Sequence, residues 1–163
     1  MKAILAMAKN RVIGKNGGLP WHVPNDFKWF KEFTMGKKII VGKNTFDTLP
    51  LLKNRECMVL TKPVEAIDAY ITNQYMVNNN VMTGQMITME DVESYSQFRK
   101  DGLIVAGGAK TYVKLLPYIT EFYVTHVIGN YDGDTFMPEF EHLFDHQEVV
   151  KEFDGHKVIV YTK

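Results

Sequence analysis

Four short apolar runs constrain what this chain can fold into. Residues 3–8, 37–42, 57–60 and 103–106 each carry a nearly unbroken apolar stretch that stops at a charge, a glycine or a threonine. Runs this short, without two-residue alternation, read as strands buried on both faces, the kind that parallel sheets require. Helical patterns lie between them. One opens at Pro24, and another runs from Lys43 through Leu49 to a stop at Pro50. A third starts at Thr88-Met89-Glu90-Asp91, which resembles a capping box, and keeps its spacing through Val92, Tyr95 and Phe98 towards Asp101-Gly102. A fourth covers residues 109–116 and ends at Pro117. Residues 121–128 form another β-rich run, and residues 147–153 and 157–162 flank a hairpin signal at Asp154-Gly155-His156. Strands alternating with helices predict an α/β fold: one domain over residues 1–163, a predominantly parallel mixed sheet flanked by helices, with an antiparallel C-terminal hairpin. Residues 64–83 are the least legible, with weak strand signals at 69–72 and 81–83 and a turn at Asn78-Asn79-Asn80.

Charge removes two classes of function. Nineteen basic residues balance nineteen acidic ones, so no nucleic-acid or membrane-surface binder is indicated and any anion site must be local. The six apolar residues after Lys2 are too few for a signal peptide or a membrane span. The single cysteine, Cys57, lies inside an apolar run and reads as a buried structural thiol, which fits a cytoplasmic compartment. The five histidines are scattered; His142 and His146 stand four apart, but no third ligand accompanies them, so no metal is expected. No large apolar helix face calls for assembly, and a monomer is expected.

Residues 12–33 pass from an apolar strand through a glycine-rich loop into an aromatic helix, an order that suggests a lid hinged over a pocket. Pro24 suits the first helical position. Asp26 then falls in the first turn and shares a face with Phe30 and Phe33. It either complements the helix dipole at the edge of that stripe or, with two acceptor oxygens, holds a ligand that presents adjacent N–H groups. Elsewhere, Lys43-Asn44-Thr45, Thr61-Lys62 and Gly107-Gly108-Ala109-Lys110 each follow a strand with a cation, a hydroxyl or bare backbone amides. In an open α/β sheet ligands collect at such strand ends. Each of the three is a weak signal, and the diglycine reads equally as a tight turn, without the spacing of a Rossmann loop. Together they suggest a ligand with several phosphates.

Several motifs then fall in one order. Val12-Ile13-Gly14 is followed by Leu19-Pro20-Trp21 with Pro24 and Asp26, then by Ile39-Ile40-Val41-Gly42-Lys43-Asn44-Thr45-Phe46. Val105-Ala106-Gly107-Gly108 with Tyr112, Tyr123-Val124-Thr125-His126 and Gly133-Asp134-Thr135 complete the series. The series resembles the successive motifs of the dihydrofolate reductase family across nearly the whole chain. That resemblance implies NADPH-dependent reduction of dihydrofolate to tetrahydrofolate, in support of one-carbon metabolism and thymidylate synthesis. The expected ligands besides the cofactor are dihydrofolate and diaminopyrimidine or pteridine antifolates.

It also implies residue roles. Asp26 would bond the 2-amino group and N3 of the pteridine, with Trp21 holding an ordered water beside it and Thr125 supporting it from a neighbouring strand. Ile4, Leu5, Phe27, Phe30, Leu52 and Ala106 would line the substrate slot, with Lys31 at its mouth and Arg55 clamping the α-carboxylate of the glutamate tail. NADPH would lie across Ala6, Ile13, Gly14, Gly17, Gly18 and Leu19. Gly42, Lys43, Asn44 and Thr45 would approach its phosphates, and Thr61 with Lys62 would accept the adenosine 2′-phosphate. Gly107, Gly108, Ala109, Lys110 and Thr111 would pass close to the cofactor, and Tyr112 would stand near the nicotinamide. Leu19 would close on the nicotinamide, with Gly17-Gly18 giving the lid its freedom and residues 129–134 supporting the closed state. The chain departs from the family pattern at Ala109, where a third glycine is usual, at Lys110, where an arginine is usual, and before Arg55, where the segment is one residue short. Two rival readings stay open: a related pyrimidine reductase sharing the sheet and NADPH site, and a non-catalytic ligand-binding component on the same fold.

Overall fold

The structure, a computed structural model, describes residues 1–50, 52–62, 74–77, 80–98 and 103–163. Strands β1 (Lys2–Ala8), β3 (Lys38–Gly42), β4 (Glu56–Leu60), β6 (Asn80–Ile87), β7 (Leu103–Val105) and β8 (Glu121–Val127) run parallel. Strand β5 (Gln74–Val77) pairs antiparallel with β6 at one end, and β10 (His146–Phe153) with β11 (His156–Thr162) adds an antiparallel hairpin at the other. The order is β10-β11-β8-β1-β7-β3-β4-β6-β5. A separate two-stranded ribbon joins β2 (Val12–Gly14) to β9 (Thr135–Phe136). The weak strand signal at 69–72, the turn at 78–79 and the helix end at 101–102 lie outside the described residues.

Successive residues of the central strands serve opposite faces, which is why their runs do not alternate in polarity. Ile4, Ile39, Val41, Cys57, Val59 and Ile104 pack into one cluster, while Leu5, Ile40, Met58, Leu103 and Val105 pack into the other. The first cluster takes helices α1 (Pro24–Thr34) and α2 (Lys43–Thr48), through Phe30, Phe33 and Phe46. The second takes α3 (Met89–Phe98) and α4 (Ala109–Leu115), through Val92, Tyr112 and Leu115.

Local chemistry sets the element ends. Pro24 opens α1. Thr88 and Asp91 cap α3 reciprocally: Asp91 Oδ2 accepts from Thr88 N at 2.7 Å, and Asp91 N donates to Thr88 Oγ1 at 3.4 Å. Pro117 does not end the fourth helix outright. It enters a 3₁₀ turn over Leu116–Tyr118, whose first residues need no N–H donor. Asp154 (φ 50°) and Gly155 (φ 78°) both adopt the left-handed region, the signature of a type I′ hairpin turn, and close Phe153 against His156. β7 inserts between β1 and β3, and β8 lies on the other side of β1. The strand order therefore reverses beside β1, and the ends of β1, β3, β4, β7 and β8 share one edge. Ligand sites of α/β sheets form at such a switch point.

Candidate active site

Asp26 stands at that edge on the first turn of α1 and is only 7% exposed. No basic side chain forms an ion pair with it among the described residues. Burial raises its pKa above the ordinary carboxylate value, opposed by the nearby Thr125 hydroxyl and by the charge of His156. Thr125 is fully buried on β8, between Ala6 of β1 and Val158 of β11. Its Oγ1 faces the carboxylate but makes no hydrogen bond of ordinary geometry among the described residues. The buried Trp21 Nε1 likewise has no protein acceptor. The indole packs edge-on against Tyr131 at 5.2 Å and beside Val23. Two buried polar groups and one buried carboxylate are thus left for a polar ligand or water to satisfy.

Tyr112 completes this centre from α4. Its hydroxyl donates to the Ile4 carbonyl at 2.6 Å, and burial raises its phenol pKa, with the charge of Asp26 adding to the effect. Ile4, Phe30, Leu52 and Ala106 share one apolar cluster. The Leu5 side chain belongs to the opposite cluster, because neighbouring strand residues face opposite ways. Phe27 and Leu19 are 45% and 41% exposed, with the Phe27 ring 6.0 Å from His22. Arg55 is held at the far end of α1: Nη1 reaches Thr34 Oγ1 at 3.3 Å, and Thr34 in turn donates to the Phe30 carbonyl at 2.7 Å. Lys31 lies beside it in the same surface pocket.

The residues expected to meet a dinucleotide line the adjoining strand ends. Gly42 N donates to Gly107 O at 2.8 Å and so ties β3 to the turn after β7. A Cβ on Gly42 would come within 2.6 Å of Thr111 Oγ1, and one on Gly108 within 2.9 Å of Thr45 Oγ1. Bare backbone is therefore required at this edge. Ala109 and Lys110 begin α4 just beyond it. The Thr61 hydroxyl at the end of β4 is buried without a partner among the described residues, and Lys62 beside it is exposed. That donor pair suits an anionic oxygen. Lys43 instead pairs with Asp47 one turn along α2 at 2.8 Å, and Asn44 is exposed between them.

The lid is a tight turn. Lys15 and Gly18 exchange two backbone hydrogen bonds at 2.9 Å, with Asn16 (φ 50°) and Gly17 (φ 79°) at the tip. The left-handed positions are therefore Asn16 and Gly17, whereas the sequence placed the freedom at Gly17-Gly18. Asp134 Oδ2 accepts from Asn16 N at 2.7 Å, Asp132 pairs with Lys15 Nζ at 2.6 Å, and Asp134 N donates to Gly14 O. Ile13 of β2 joins the same core cluster as Leu5 and Tyr112.

Three contributors escape the sequence reading. His156 and Asp154 come from the C-terminal hairpin, and Asp154 accepts from Asn25 Nδ2 at 2.6 Å. The Asp-Gly turn signal identifies that hairpin, but no local pattern places its tip against α1. Thr34, which holds Arg55, reads in sequence as an ordinary helix terminus.

Similarity to known proteins agrees with this geometry. The sequence pattern of the family described as dihydrofolate reductase matches residues 1–160. The dihydrofolate reductase of Bacillus subtilis (strain 168) is 34% identical over 139 residues, 85% of this chain and 75% of that protein. Dihydrofolate reductase type 8 of Escherichia coli is 34% identical over 167 residues, all of this chain and 95% of that protein. A solved dihydrofolate reductase from Enterococcus faecalis, complexed with NADP(H) and RAB-propyl, superposes with a TM-score of 0.74 at 28% identity, covering 99% of this chain and 94% of that one. The chain belongs to the dihydrofolate reductase family.

Proposed function

We propose that this chain reduces 7,8-dihydrofolate to 5,6,7,8-tetrahydrofolate with NADPH, supplying the reduced carrier for one-carbon transfer and thymidylate synthesis. The observation that carries the reading is Asp26: a buried carboxylate with no ion-pair partner among the described residues, in a helix whose apolar face packs on the sheet. A buried charge is costly unless it is paired and hydrogen-bonded. The pteridine 2-amino group and N3 supply two parallel donors that fit its two oxygens.

The orphaned Thr61 hydroxyl with Lys62, and the bare glycine edge at Gly42, Gly107 and Gly108, fit NADPH. Thr61 and Lys62 would hold its 2′-phosphate, and the glycine turn would admit the rest beside Tyr112. When bound, NADPH supplies the hydride that C6 of the pteridine receives. The protein's part is orientation, electrostatics and exclusion of water. Asp26 fixes the ring through N3 and the 2-amino group, so it stands too far from N5 to donate a proton there. It favours the protonated ring, and water delivers the proton. Trp21 Nε1 and Thr125 Oγ1 are the donors that position water beside the carboxylate. The lid closes Leu19 over the reacting faces and keeps bulk solvent out.

An absorbance assay of NADPH oxidation with dihydrofolate tests the reading. Oxidation that depends on dihydrofolate and is blocked by a diaminopyrimidine antifolate is expected. Oxidation that ignores either compound contradicts it.

A further inference from the structure

The first turn of α1, which presents Asp26, has no side-chain cap among the described residues. Val23 at its boundary offers only its carbonyl, to Asp26 N at 3.0 Å and Phe27 N at 3.3 Å. The side-chain tether comes from outside the helix. Asp154, in the turn of the C-terminal hairpin, accepts from Asn25 Nδ2 at 2.6 Å, one residue before Asp26. A carboxylate on the first turn of a helix is also favoured by the helix dipole.

The same turn is fixed to β8. His156 Nδ1 accepts from Ile128 N at 3.0 Å, and a Cβ on Gly155 would meet Ile128 Cδ1 at 2.9 Å. Ile128 directly follows β8, the strand that carries Thr125, and Val158 of β11 pairs with Thr125 in register. Asp154 and Gly155, both in the left-handed region, make the turn a stiff link. It bridges the two elements that bring Asp26 and Thr125 face to face. Thr125 Oγ1 faces the carboxylate without a hydrogen bond of ordinary geometry, so a small shift of α1 against β8 makes or breaks that contact. We propose that Asp154 is a positioning residue: through Asn25 and the hairpin turn it sets where Asp26 stands relative to Thr125 and to the ring that Asp26 holds. This rests on the reading of Asp26 as the pteridine anchor. Asp154 is exposed and acts only through Asn25. A displaced anchor still binds the ring, because the apolar slot remains, but presents it off the line of hydride transfer.

The test is a double-mutant cycle of Asp154→Gly and Asn25→Ala, with Asp154→Asn as the conservative variant. Glycine and asparagine both tolerate the left-handed backbone at this position, so the turn survives either change. The readout is the single-turnover rate of NADPH oxidation at saturating dihydrofolate, beside NADPH affinity, which reports the folded fraction. One hydrogen bond shifts an equilibrium roughly fivefold, so the rate should fall by about that factor in Asp154→Gly and in Asn25→Ala. The double variant should lose no more than either single one, because both delete the same contact. Asp154→Asn keeps an acceptor oxygen and should stay within about twofold of the wild type, with NADPH affinity unchanged throughout. A wild-type rate in Asp154→Gly, additive losses in the double variant, a loss that Asp154→Asn does not rescue, or an equal loss of NADPH affinity overturns the inference. Dihydrofolate-dependent oxidation by the wild type leaves the site assignment standing in each of those cases. Its absence overturns both.

Discussion

At the scale of single residues, function and stability pull against each other at Asp26. Burial raises its pKa in the folded chain, so between the unfolded and folded values the native state binds more protons than the unfolded one. Stability therefore falls as pH rises through that window, and the penalty is complete above the folded value. Asp26→Asn removes the buried charge. It should raise the melting temperature at about pH 7, and by less at about pH 4, where protonation has already relieved part of the cost. Thermal unfolding followed by circular dichroism at both pH values checks this; equal shifts would contradict it. Cys57 shows the opposite case, a buried group without a task. It is 1% exposed, burial pushes its thiol up to about 11, and it packs as a small apolar residue on β4, as its sequence context indicated.

At the scale of elements, the lid is held by a neighbour as much as by its own turn. Asp134 accepts from Asn16 N, and Gly133 packs so closely that a Cβ there would meet Val12 Cγ1 at 2.3 Å. The β2–β9 ribbon thus carries the loop over residues 129–134 directly against the lid. Losing one hydrogen bond of this kind changes a local equilibrium by about 1 kcal/mol, roughly fivefold. Asp134→Ala should lower turnover by about that factor while the melting temperature moves by no more than about 2 °C, because the exposed Asn16 N–H can turn to water. Steady-state kinetics beside a thermal scan decide it, and unchanged turnover would show that this contact does not hold the lid. The strands, the helix caps and the hairpin turn were legible because each is written in a few adjacent residues: Pro24, Thr88 with Asp91, Asp154 with Gly155. The backbone freedom expected at Gly17-Gly18 falls at Asn16-Gly17. Asn tolerates positive φ nearly as Gly does, and the Lys15–Gly18 pairing that selects Asn16-Gly17 is visible only in the folded turn.

At the scale of the molecule, the centre draws on segments far apart in sequence: Ile4 from β1, Asp26 from α1, Gly107 and Tyr112 around the end of β7, Thr125 from β8 and His156 from β11. The sheet order brings them to one edge. Resemblance to a known family points to most of these residues, but local sequence pattern alone leaves Asp26 as either a helix complement or a ligand anchor. What bears on the choice is long-range: Thr125 of β8 and His156 of β11 lie beside the buried carboxylate, which no local pattern encodes. The same limit hid His156 and the contact of Asp154 with Asn25. We propose that residues 1–163 act as one domain around this edge, with Asp26 as the anchor of the pteridine. Asp26→Asn, assayed for dihydrofolate turnover near neutral pH alongside NADPH affinity by fluorescence titration, tests that proposal most directly. Turnover should fall by at least about 100-fold, the scale of proton-transfer and electrostatic contributions, while NADPH affinity stays within about twofold. Turnover equal to that of the wild type would contradict it.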